Sequence, residues 1–143
     1  MKLTGYGPGE ITDRLTILSL KLLFGAEANR DLSAFRDERT KLLSQIRSRT
    51  LNGAWFDGVL ELAAINAALW HAEDDLRLLR SQEDANHTQE HFYTEAARCG
   101  FRVQGLNDQR AQVIERINKD AGEGSPGEKV FRIVANAPEE LVR

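Results

Sequence analysis

Apolar residues recur at Ile11, Leu15, Leu18 and Leu22, and Ile17, Leu20 and Phe24 widen the same stripe. Spacings of four and three put these positions on one face of an amphipathic helix. Pro8 suits the first turn, where its missing N–H costs nothing, and Glu10 and Asp13 suit the positive end of the helix dipole. The helix is expected to end near Gly25. A second helix is predicted over about 29–49, with Leu32, Phe35, Leu42, Leu43 and Ile46 inward and a polar, exposed middle. The segment LNGAWFDG predicts a turn whose Trp55 and Phe56 plug the end of a bundle. Asp57 is the expected N-cap of a third helix reaching about Gln82. A fourth helix is predicted over about 88–120, with Gly100 and Gly105 allowing a bend or a close backbone approach. The glycines of GEGSPG then read as a linker, and VFRIV beyond it as a short extended segment. The fold expected is all-α: an antiparallel four-helix bundle over residues 1–121, with a linker and a short extended C-terminal segment over 122–143.

Polar side chains interrupt the apolar stripes. The third helix carries the seam Leu62, Asn66, Leu69, Glu73, Leu76, bordered by Trp70 and Asp74. The fourth carries Ala96, Cys99, Val103, Leu106, Arg110, Val113, Ile117, with Asn107 and Asp108 beside Arg110. Asp13, Arg14 and Lys21 flank the stripe of the first helix. An unpaired buried polar group costs roughly 1–3 kcal/mol, so these residues must satisfy one another or hold a ligand. A third-to-fourth helix hairpin turning near Ala85 would bring Asn66 level with about Gln104. That register predicts two polar layers. One joins Asn66 to Asn107 and Arg110; the other joins Glu73 or Asp74 to a cation such as Arg14, Lys21, Arg98 or Arg102.

Three blocks, PGEITDRLTILSLK, INAALWHAEDDLR and FYTEAARCGFRVQGLNDQRAQVIERIN, carry a family resemblance. They resemble a family of small bacterial all-helical proteins of unknown function. The family pattern falls on Pro8, Gly9, Glu10, Asp13, Arg14, Thr16, Asn66, Trp70, Glu73, Asp74, Asn107, Asp108 and Arg110. Beyond Ile117 the chain departs from it. The resemblance implies an all-α fold and brings no activity with it.

Composition narrows the function classes. With 143 residues the chain is long enough for one domain with a sizeable core. A net charge of −3 argues against a nucleic-acid-binding face, and the basic stretch from Arg36 to Arg49 is diluted by Asp37 and Glu38. A single cysteine, Cys99, forms no intrachain disulfide and fits a reducing compartment. The first ten residues lack the apolar core of a signal peptide, and Leu15–Phe24 is too short and too polar to span a bilayer. A cytoplasmic protein without membrane or nucleic-acid partners is expected.

Candidate chemistry is sparse. His87 and His91 stand in an H-x-x-E-H pattern that could seat a zinc ion on one helix face, but its third, downstream carboxylate would have to come by chance, so no metal site is assigned. Glu10, Asp13, Glu73 and Asp74, with Lys21, Asn66 and Arg110, resemble the carboxylate and phosphate-binding sets of all-α nucleoside-triphosphate pyrophosphohydrolases, which hold Mg²⁺ between helices. Arg14, Lys21 and Arg110 could also line a crevice for a small anion, given an excess of cations there. No Walker loop, dinucleotide fingerprint or Ser-His-Asp arrangement is present. The leading expectation is a homodimeric binding or assembly module whose internal polar residues fix helix register. The alternative is an enzyme or sensor with an inter-helix pocket for an anionic metabolite or nucleotide. The cofactor is unknown from these residues, and the pyrophosphohydrolase-like form of the alternative would use Mg²⁺.

Overall fold

A computed structural model of the chain describes residues 6–82 and 89–123. Four helices follow one another: α1 (Pro8–Glu27), α2 (Ser33–Arg47), α3 (Gly53–Ser81) and α4 (Gln89–Asp120). Among the described residues there is no strand. The linker after Glu123, the VFRIV segment and His87 lie outside the described residues.

Successive helices are antiparallel. Arg14 pairs with Glu38 and Lys21 meets Phe35, so α2 runs back along α1. Thr12 meets Trp55 and Phe24 stacks on Trp70, so α3 runs with α1. Gly9 meets Asn118 and Asp13 meets Arg110, so α4 returns. The fold is an all-α four-helix bundle, with α1 touching each of the other three helices and α2 packing on α1 alone. Ile11, Leu18, Leu42 and Ile46 form the core between α1 and α2, and Leu62, Val113 and Ile117 that between α3 and α4. Half-buried Trp55 contacts both clusters, as an end plug should. Phe56 does not share that role, being 55% exposed.

Local chemistry sets the helix ends. α1 runs two residues past Gly25 and stops at Asn29, whose φ of 52° is the left-handed conformation asparagine tolerates. The Arg30 N–H then reaches the Gly25 carbonyl and the Asn29 N–H that of Ala26, capping two orphan carbonyls. α4 stops in the same way at Gly122, with Glu123 N–H donating to the Asn118 carbonyl. Glu123 is thereby placed against Arg49, which also donates to the Tyr6 carbonyl and ties the lead-in of α1 to the end of α4. The start of α3 corrects the sequence expectation. Asn52, not Asp57, is the N-cap, accepting from the Trp55 N–H at 3.2 Å, so the expected turn at 53–58 is already helix.

Gly100 and Gly105 also differ from expectation. α4 is continuous through both, and a Cβ at either would meet nothing within 4 Å. Neither glycine serves a close approach, and each costs helix propensity. Gly100→Ala and Gly105→Ala should each raise stability by about 0.5–1 kcal/mol in a urea titration. A loss of stability in either, read at a concentration where the chain is monomeric, would contradict that open space.

Candidate functional site

The N-terminal half of α1 carries three polar layers, each closed by another helix. In the first, the Trp55 indole N–H donates to Thr12 Oγ1 at 2.9 Å, and Thr12 donates on to the Pro8 carbonyl at 2.6 Å. In the second, Asn118 on α4 uses both ends of its amide. Its Oδ1 accepts from the Gly9 N–H at 2.7 Å, and its Nδ2 donates to both carboxylate oxygens of Glu10, at 3.1 and 3.0 Å. This contact needs Gly9: a Cβ there would collide with the Ile114 carbonyl oxygen and lie 2.9 Å from Asn118 Oδ1.

The third layer centres on Asp13, which is 5% exposed. Its Oδ1 accepts from Asn66 Nδ2 at 2.9 Å and from Arg110 Nε at 2.8 Å; its Oδ2 accepts from Arg110 Nη2 at 2.6 Å. This is a bidentate guanidinium–carboxylate pair. Asn66 Nδ2 donates also to Thr16 Oγ1 at 2.8 Å, and Thr16 donates to the Asp13 carbonyl at 2.7 Å. Hydrogen bonding to Asp13 is the largest influence on Arg110 and raises its pKa; burial opposes it. Among the described residues no buried side-chain polar atom lacks a partner.

The structure brings Asn66 and Arg110 into one layer, as expected, but through Asp13. Asn66 makes no hydrogen bond with Asn107, which is half-buried one turn along α4. The reason is register. Arg116 pairs with Glu61 across the hairpin, which puts Asn66 level with the Arg110 turn and not with Gln104. The second expected layer does not form. Glu73 and Asp74 are exposed and pair with Arg77 on their own helix, at 3.5 and 2.8 Å. Of the four carboxylates expected to gather around Mg²⁺, Glu10 and Asp13 line one crevice while Glu73 and Asp74 face solvent, and among the described residues no group of three metal-ligating side chains converges. His91 is exposed on the first turn of α4. Trp70 stacks on Phe24 with centroids 5.1 Å apart and takes no part in the polar layers.

Sequence reasoning missed Asn118 and Thr12, and marked Thr16 only through the family pattern. Asn118 directly follows Ile117 at the end of the α4 seam, and the two threonines border the α1 stripe; extending each seam by one position would have found them.

A crevice of about 350 Å³ opens beside these layers, between α1, α2 and α4. Glu10, Asp13, Arg14, Lys21 and Arg110 line it, with Tyr6, Glu38 and an apolar wall of Ile17 and Leu18. Arg14 lies 4.1 Å from the Tyr6 ring centroid and 3.6 Å from Glu38. The crevice holds three cations and three carboxylates, so the simple excess of cations needed for an anion site is missing from the residue count. Comparison with protein-family models, curated proteins and solved structures found no match. No helix among the described residues is long and apolar enough to cross a membrane.

Proposed function

We propose that this is a cytoplasmic binding and assembly module that works as a homodimer, joined through the α3–α4 hairpin. One observation carries the reading: burial stops halfway along the hairpin. The last buried residue of α3 is Ala72, and the first of α4 is Val113. Beyond them the seam residues Leu76, Leu79, Phe92, Cys99 and Val103 are only half-buried, while Leu78, Tyr93 and Phe101 are 57%, 57% and 74% exposed.

The cause is length. At 1.5 Å per residue, α1 spans roughly 30 Å, whereas α3 and α4 span roughly 43 and 48 Å. α1 gives out near Trp70, so the hairpin continues without a third layer. Two helices side by side bury one stripe each and leave both flanks wet. A twofold-related hairpin supplies the missing layer and makes a four-helix bundle from two copies. Its face is about 20 Å wide over the roughly 16 Å that α3 projects past Trp70, and α4 runs on alone beyond it; together they bury on the order of 900 Å² in total, the size of a reversible contact. The satisfied layers around Asp13 and Asn118 serve this role by holding α1, α3 and α4 in one register, so that the hairpin projects rigidly.

Sedimentation equilibrium is the test. The chain is expected at twice its monomer mass, and Leu78→Glu with Phe101→Glu should return it to monomer with the helix content of the base intact. A parent chain that sediments as a monomer at about 100 μM, well above the Kd range of a specific dimer, overturns the proposal.

A further inference from the structure

The crevice between α1, α2 and α4 holds charges that are not equally committed. Asp13 and Arg110 neutralise each other through the bidentate pair. Arg14 faces Glu38. Glu10 sits in the first turn of α1, where the helix dipole favours a carboxylate, and both of its oxygens accept from the Asn118 amide. Lys21 is different. It is half-buried, its ammonium lies over the Phe35 ring 5.3 Å from the centroid, and among the described residues no carboxylate pairs with it. Ile17 and Leu18 form the apolar wall one turn below it.

We infer that this crevice binds a small monocarboxylate with an apolar body, its carboxylate on Lys21 and its acyl or aryl part against Ile17 and Leu18. One uncommitted positive charge matches one negative charge. A dianion meets Glu38 and Glu10 with its second charge, and a cation meets Lys21 directly. The volume is at the lower end of small-molecule pockets, which sets the ligand's size. The inference does not depend on the hairpin dimer, because no residue of the projecting half of α3 or α4 lines the crevice.

Titration calorimetry on the full chain tests it with the series acetate, butyrate and hexanoate, with benzoate as an aryl probe and hexylamine and succinate as controls. Binding is expected for hexanoate and benzoate, tightening about fourfold per added methylene, as expected when roughly 0.8 kcal/mol accompanies each buried CH₂. Hexylamine and succinate should bind at least tenfold more weakly than hexanoate. Lys21→Met should weaken hexanoate at least tenfold at an unchanged melting temperature, and Lys21→Arg should keep most of the affinity. Amide shifts in the NMR spectrum should map to α1 and to the Glu38 turn of α2. Any of three results overturns the inference: no hexanoate binding at 10 mM (a ~ −3 kcal/mol threshold), equal binding of hexylamine, or a Lys21→Met chain that binds as tightly as the parent.

Discussion

Asp13→Ala is expected to lower the melting temperature by about 10 °C, corresponding to roughly 3 kcal/mol for a domain of this size. The side chain removed is almost fully buried and accepts three hydrogen bonds, two of them from one guanidinium. Without it Arg110 keeps its charge and loses its counter-charge. The side chain of Arg110 is 31% exposed, so part of the guanidinium turns to water, which places the loss at the lower end of the range for breaking a buried pair. Asn66 retains one of its two donated bonds, that to Thr16. Removing both charges is a different matter, because a well-packed apolar pair needs no desolvation to be repaid. Asp13→Leu with Arg110→Met should recover most of the loss, although Asn66 then relies on Thr16 alone. Thermal melts of the two variants decide the point. If Asp13→Ala melts within 2 °C of the parent, the layer is not what holds these three helices in register (about 0.5 kcal/mol).

The pH dependence of this pair on the arginine side follows from the direction of its shift. The folded state raises the pKa of Arg110 above its ordinary value, first through the hydrogen bonds to Asp13. A base raised on folding contributes stability that is present below its unfolded pKa and is lost only as pH climbs through the folded value. Between about pH 5 and 10, the guanidinium contribution is therefore constant.

Gly9→Ala is expected to cost about 3 kcal/mol, against the sign of helix propensity, which favours alanine by about 1 kcal/mol. Gly9 is buried in the first turn of α1, and the atom its new methyl would strike is a backbone carbonyl of α4, which cannot rotate aside as a side chain can. α1 has to lift away from α4, which stretches the 2.7 Å bond from the Gly9 N–H to Asn118 and loosens the Glu10 contact with it. The comparison with Gly100→Ala isolates the cause, because there the same substitution meets open space and should stabilise. Urea titrations of the two variants should move in opposite directions. A Gly9→Ala chain as stable as Gly100→Ala would mean that α1 does not seat on α4 at that distance.

Much of this could be read along the chain. The four helices follow from the recurrence of apolar residues at spacings of three and four, since the backbone period is local and each stripe needs no knowledge of its partner. Asn66, Arg110 and Asp13 stood out for the same reason: each interrupts or borders a stripe that is otherwise apolar. The partner of Asn66 could not be read in this way. It depends on the register of α3 against α4, and a displacement of a few residues carries a side chain most of a turn, about 5 Å, past its neighbour. The exposed pairing of Glu73 and Asp74 with Arg77 was equally hidden, because no third layer reaches that height and the sequence does not state where α1 ends in space. Gly9 looked like a residue of a helix start, and only the Ile114 carbonyl opposite shows why no side chain fits there. The chain by itself determined where the four helices lie, apart from their ends, and that Asp13, Asn66 and Arg110 lie on or beside inner faces. Which of those groups meet, where two backbones touch, and how much of the hairpin is left uncovered were decided by the packing of separate helices, because those distances depend on several elements at once and on no single stretch of sequence.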